Sequence, residues 1–203
     1  MKGLIIKDIL NLKKQAKLIG ILTLFYLFFS VATENNSMFG AMVLVLFAMM
    51  PITAISYDER ANWDKYALTM PVSRTHMVLS KYVLGLVLSV FAFILNLIAQ
   101  IALGTEMNIE NIITISVMFS ISIIFISLLL PIMFKLGVEK GRMMMFMVLM
   151  LPTLIIILFS KLIDAPPTEE MMMKALYILP FITIILYISS IFISINIYKK
   201  KEF

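Results

Sequence analysis

Six stretches of this chain are apolar enough to avoid water and about long enough to cross a bilayer: residues 18–33, 38–56, 77–103, 111–134, 143–160 and 175–198. A spanning helix needs about 20 apolar residues, and the first stretch sits at the short end of that range. The remaining residues cannot shelter so much apolar surface in a soluble core: 62% are hydrophobic and 14% charged, with a mean hydropathy of +1.02. Soluble domains carry about 25% charged residues. The fold class expected is therefore an all-α membrane protein with six transmembrane helices, forming a single domain over residues 1–203. There is no cysteine, which removes thiol catalysis, disulfides and cysteine-ligated metals. His76 is the only histidine and makes no histidine metal cluster. No catalytic, cofactor-binding or metal-ligating set is expected in this chain.

Residues 1–17 do not read as a signal peptide. Lys2, Lys7, Lys13, Lys14 and Lys17 are spread through the segment, and no small-residue cleavage site follows a short apolar core. At 100° per residue Ile5, Ile9, Leu12 and Ala16 share one stripe, with Lys7, Asp8, Asn11, Lys14 and Gln15 opposite. That pattern predicts an amphipathic helix in the plane of an anionic membrane surface. A cytosolic extension of the first span is the alternative.

With six spans both termini share one side. That side holds 15 of the 17 basic residues, leaving only Lys161 and Lys174 opposite. The acidic residues divide evenly, so the terminal side carries +9 and the other −4, in agreement with the net +5. The positive-inside rule then puts both termini in the cytoplasm of a multi-pass plasma-membrane protein. The basic isoelectric point follows from topology, and no nucleic-acid partner is implied. Adding or dropping one span would scatter the lysines over both faces.

No Asp, Glu, Lys, Arg or His lies well inside a span as drawn, which speaks against a self-powered carrier or an intramembrane protease. Polar uncharged residues do occur there. Asn96 and Gln100 are four apart in the third span; Ser116, Ser120 and Ser127 share a face of the fourth, and Ser190 and Ser194 one of the sixth. They serve either helix–helix hydrogen bonding or the lining of a substrate path. Methionine is abundant, at 18 residues, with runs at 143–145, Met147, Met150 and 171–173. Flexible thioethers suit irregular amphipathic or lipidic substrates, and they are equally at home facing lipid. Asn96, Gln100, Ser116, Ser120 and Met147 are the candidates for a substrate path. Pro152 is placed to kink the fifth span.

The loop at 57–76 carries the most information. Trp63, Tyr66, Ala67 and Met70 recur at i, i+3, i+4 and i+7, which predicts a short helix with one apolar face, capped by Asn62 and ended by Pro71. Such a face suits either the headgroup layer or a groove on a partner protein.

The run Asp58-Glu59-Arg60, then Leu68-Thr69-Met70-Pro71-Val72-Ser73-Arg74 and Lys81-Tyr82, resembles the first cytoplasmic loop of ABC-2 type transporter permeases. The opening Met1-Lys2-Gly3-Leu4-Ile5-Ile6-Lys7-Asp8 is similar to that family's interfacial elbow helix. Met70 stands where leucine is usual before the proline, and Asn62 where glycine is common. Within the family the small, methionine-rich chain looks most like bacterial exporters of cytolytic phenol-soluble modulin peptides. The resemblance implies a permease that pairs with a second copy or a paralogue. It also implies a separate cytoplasmic ABC ATPase that binds ATP and Mg, and a substrate that is an amphipathic peptide or lipidic molecule, with membrane lipid around. The chain agrees that the motor is elsewhere, since it has no GxxxxGK[ST] phosphate loop. Residues 62–70 would be the coupling helix, with Trp63, Tyr66 and Met70 as apolar anchors and Glu59, Arg60, Asp64 and Lys65 as charges at the rim. A membrane scaffold or sensor docking a cytoplasmic partner through the same loop is the rival reading. A lipid-acting membrane enzyme is a third, weakened by the lack of paired acids and histidines.

Overall fold

A computed structural model describes residues 1–33, 36–105, 108–162 and 169–201, without side chains at 36, 149, 151–162 and 169–175. Among the described residues the chain is all-helical and has no strand. The helices are α1 (Lys2–Lys13), α2 (Ala16–Ala32), α3 (Asn36–Ala48), α4 (Met50–Arg60), α5 (Trp63–Ala67), α6 (Arg74–Ala102), α7 (Ile109–Leu162) and α8 (Glu169–Lys199). Four helical stretches have the length and apolar character to cross a membrane: Ser37–Arg60, Arg74–Ala102, Ile109–Val148 and Leu176–Lys199. The α1–α2 pair, bent by 67°, makes a fifth if taken as one span. The first expected span is thus the outer arm of an elbow. The second is α3 and α4 together, broken at Met49 just before Pro51. The expected connector at 34–37 lies largely outside the described residues.

Expected spans four and five belong to one helical stretch, α7, rather than two separate helices. At 1.5 Å per residue its 54 residues would measure about 80 Å, far more than a hydrocarbon core of about 30 Å. It is not straight: Gly137 has φ 78° and ψ 173°, a backbone region open to glycine almost alone. The interruption falls at Gly137, between the two apolar segments, and not at Pro152, which lies within the helical stretch. The chain re-enters the helix at Val138, whose N–H would otherwise lack an acceptor. Glu59 at the end of α4 supplies it, accepting from Val138 N at 2.7 Å. A carboxylate at a helix start is also favoured by the helix dipole.

Gly137→Ala should be costly for two separate reasons. The backbone there is strained for any L side chain, and the new Cβ would lie 2.8 Å from Glu59 Oε1, pushing out the cap. A loss of about 1–3 kcal/mol is expected from the backbone alone. It should appear as a lower melting temperature in detergent, while Gly3→Ala, whose Cβ meets nothing within 4 Å, should melt like the parent.

Among the described residues three apolar clusters hold the bundle, the smallest joining Leu12, Met50, Ala54 and Leu84. Another packs α3 against α6 through Phe39, Val43, Leu44, Phe47, Ala92 and Ala99. Gly40 lets the backbone come close here: a Cβ would sit 2.5 Å from Asn96 Nδ2. The largest joins α4, α5, α6, α7 and α8 around Ile55, Ala67, Tyr82, Leu129, Met133 and Tyr198. A hydroxyl ladder runs through it. Tyr82 Oη is 2.6 Å from Ser190 Oγ and 2.7 Å from Ser194 Oγ, Ser190 Oγ donates to the Ser127 carbonyl, and Tyr187 Oη donates to the Tyr82 carbonyl. Hydrogen bonds of this kind tie helices together where water is absent.

Candidate functional site: a loop helix clamped by a buried charge quartet

Helix α1 is amphipathic, but its two faces do not sort cleanly into outside and inside. Ile6, Ile9 and Leu10 are exposed and Leu12 is buried, while Lys2, Lys13 and Lys14 are exposed and Asp8 is 1% exposed. Part of the charged side, Lys7 and Asp8, faces the protein. Charges can face inward only if they find partners there, because an isolated buried charge is strongly penalised. Asp8 and Lys7 find them. Lys81 Nζ, in the second turn of α6, contacts Asp8 Oδ2 at 2.7 Å and Asp58 Oδ2 at 2.6 Å. Lys7 Nζ contacts Asp58 Oδ1 at 2.5 Å and Asp8 Oδ1 at 3.1 Å. Two lysines and two aspartates thus alternate in a neutral ring that pins the elbow helix to α4 and α6.

The quartet lies at the edge of a span, whereas the expectation excluded charges only from the span interior. Lys81 lies near the start of the third expected span and is buried, neutralised by the two aspartates. Sequence reading passed over Asp8, Asp58 and Lys81 as a cluster. The available signal was an aspartate and a lysine breaking otherwise apolar or lysine-rich surroundings.

Helix α5 sits on this ring. Lys7 Nζ lies 4.3 Å from the centroid of the Trp63 ring, a cation–π contact. Ala67 is fully buried and Trp63 packs against the α4–α8 core. Burial pushes the Asp64 carboxyl above its ordinary range, opposed by the Tyr198 hydroxyl and the charge of Lys201. A cavity of about 40 Å³, room for a water molecule, lies among Lys7, Asp58, Trp63, Lys81, Gly137 and Tyr198. Close by, Arg74 Nη1 donates to the carbonyls of Lys199, at 2.6 Å, and Lys201, at 3.1 Å, satisfying the end of α8. Arg142 reaches Ser56 Oγ at 3.4 Å.

The expected helix over 62–70 is shorter than its apolar repeat: α5 ends at Ala67. Asn62 occupies the N-cap position with φ 49° and makes no side-chain capping bond. Its left-handed backbone accounts for an asparagine at a place where glycine also fits. The four-residue stripe is divided. Trp63 and Ala67 turn into the protein, whereas Tyr66 is 63% and Met70 47% exposed. Arg60 and Lys65 are exposed. Glu59 is exposed as well, but its carboxylate is engaged with Val138.

The candidate path residues are not gathered. Asn96, Gln100 and Ser120 are buried, Gln100 Nε2 lies 3.4 Å from Asn96 Oδ1, and Ser116 and Ser120 donate to carbonyls of their own helix. Met147 is exposed on α7, beside Met143 and Met150. Neither the small cavity nor the elbow groove described below is lined by any of them. The methionines at 171–173 lie outside the described side chains.

Among the described residues no group of three or more His, Cys, Asp or Glu side chains is placed to hold a metal ion. The arrangement is a short, partly exposed helix braced at the point where five other helices meet. No curated protein and no solved structure matches the chain. Residues 3–199 match the family model described as ABC-2 family transporter protein. Because that match covers nearly the whole length, the chain belongs to the ABC-2 transporter family of membrane proteins.

Proposed function

We propose that this chain is the permease subunit of an ATP-driven exporter that moves amphipathic or hydrophobic substrates, peptides of the cytolytic or antimicrobial kind, out of a bacterial cell. A separate cytoplasmic ATPase binds ATP and Mg and drives it. Two permease subunits, identical or paralogous, form the pathway. Family membership supports a permease with a partner ATPase. The observation that carries the coupling role is the split of the stripe at 63–70: Trp63 and Ala67 fix α5 to the bundle, and Tyr66, with Met70 just beyond the helix, remains open to a partner. A push on α5 would pass through Trp63 to Lys7 and so to α1, α4 and α6. Exposed Met143, Met147 and Met150 supply an adaptable apolar surface suited to irregular amphipathic substrates.

The proposal includes six spans with both termini and the 57–76 loop in the cytoplasm. Break positions support it: Gly137 divides α7 where the basic residues Lys135, Lys140 and Arg142 lie. Single cysteines in this cysteine-free chain test it. A membrane-impermeant thiol reagent on intact cells should label position 35 or 167 and spare 62. The opposite labelling would invert the topology.

ATP turnover tests the functional reading itself. The isolated chain should not hydrolyse ATP, because it lacks a phosphate-cradling loop. With its ATPase it should form a complex whose hydrolysis rises when substrate is added. Association without substrate-stimulated turnover would favour the scaffold reading. Hydrolysis by the isolated chain would remove the permease assignment.

A further inference from the structure

A second concave feature lies at the elbow, away from the charge quartet. The bend between α1 and α2 opens a groove of about 600 Å³ against α3, α4 and α6. That is within the range of about 300–1,000 Å³ typical of sites for small apolar ligands. Its walls include Ile9, Leu12, Leu24, Phe47, Phe91 and Leu95. Gly20 forms part of the wall, and a Cβ there would meet nothing within 4 Å. Thr23 also borders the groove, but its hydroxyl already donates to the Ile19 carbonyl at 2.8 Å. The interior therefore asks for no hydrogen bond.

The mouth is different. Lys13 lines it, and Lys14 and Lys17 follow at the turn between the two helices. All three are exposed, and none has a carboxylate within 4 Å among the described residues. Three lysines within five positions repel one another unless an anion lies among them. The nearest acidic side chain in sequence, Asp8, is taken by Lys7 and Lys81.

We propose that this groove seats an acyl chain of an anionic phospholipid, with the headgroup held by Lys13, Lys14 and Lys17. A long apolar slot with a cationic mouth matches an amphiphile with a negative head. A second copy of this chain would have to bring an exposed carboxylate such as Glu139 to the mouth, and the oligomeric state reads that outcome. Each lysine near a membrane surface favours an anionic lipid by roughly fivefold. The lipid would wedge the elbow at its 67° bend.

The test uses the full chain purified in detergent and exposed to equal amounts of phosphatidylglycerol and phosphatidylcholine, with bound lipid read by native mass spectrometry. One phosphatidylglycerol per copy should be retained, at least fivefold over phosphatidylcholine. Lys13→Gln with Lys17→Gln should bring that preference close to parity. Gly20→Phe, which fills the slot, should remove the retained lipid without changing the oligomeric state. Equal retention of the two lipids by the parent chain would mean belt lipid only and would overturn the proposal. So would a phosphatidylglycerol adduct that survives Gly20→Phe, or loss of self-association in Gly20→Phe with the adduct intact. If Gly20→Phe does not fold, the two lysine changes, both at exposed positions, decide: an unchanged lipid preference overturns the proposal.

Discussion

Lys81→Met should destabilise this chain more than any other single substitution considered. Lys81 is 5% exposed and, among the described residues, is the only cation that touches Asp8 Oδ2 and Asp58 Oδ2. Without it, two buried carboxylates share Lys7 alone. Removing one partner of a buried ion pair costs about 3–5 kcal/mol, because the remaining charge stays desolvated. The loss should appear as a large drop in melting temperature and in folded yield. Adding Asp58→Asn leaves one lysine facing one aspartate and should recover part of it. Lys65→Met, on an exposed side chain, should change stability by no more than about 0.5 kcal/mol. A Lys81→Met chain that melts like the parent would show that the ring does not brace the elbow.

The second large effect concerns α5, and it separates two aromatic residues that the periodicity placed together. Tyr66→Ala with Met70→Ala should leave melting unchanged, since both side chains are largely exposed. The pair should nevertheless weaken ATPase association by about 30-fold or more, the loss expected when an interface anchor worth about 2 kcal/mol is truncated. Trp63→Ala should behave in the opposite order. It removes the ring over Lys7 and part of the core beneath α5, so stability falls first and association follows. Equal effects of the two changes on melting would contradict the division of the stripe.

The long apolar runs were legible because hydrophobic length alone determines them. α2, α3–α4, α6 and α8 lie close to the expected bounds, and α7 covers the fourth and fifth segments. The partners of α1 were not legible. Periodicity shows that a helix has two faces, but not which of its charges will meet a partner inside the protein. Lys7 and Asp8 turn inward because opposite charges meet them there. Those partners are 73 and 51 positions away, for Asp8 with Lys81 and for Lys7 with Asp58. No local pattern carries such a pairing. Asp58 and Lys81-Tyr82 entered the sequence reading only as matching letters of a resemblance. The break at Gly137 is similar: its glycine is visible, yet its need for Glu59 appears only when α4 and α7 are packed.

The coupling role of α5 rests on what touches Tyr66 in the assembled transporter. A photo-reactive amino acid placed at position 66 and irradiated in cells reads this directly. The account predicts a protein adduct containing an ATPase with a phosphate-binding loop. Its yield should drop when Trp63→Ala loosens the helix. An adduct with lipid alone, while the ATPase still co-purifies, would contradict the account and make α5 a headgroup anchor.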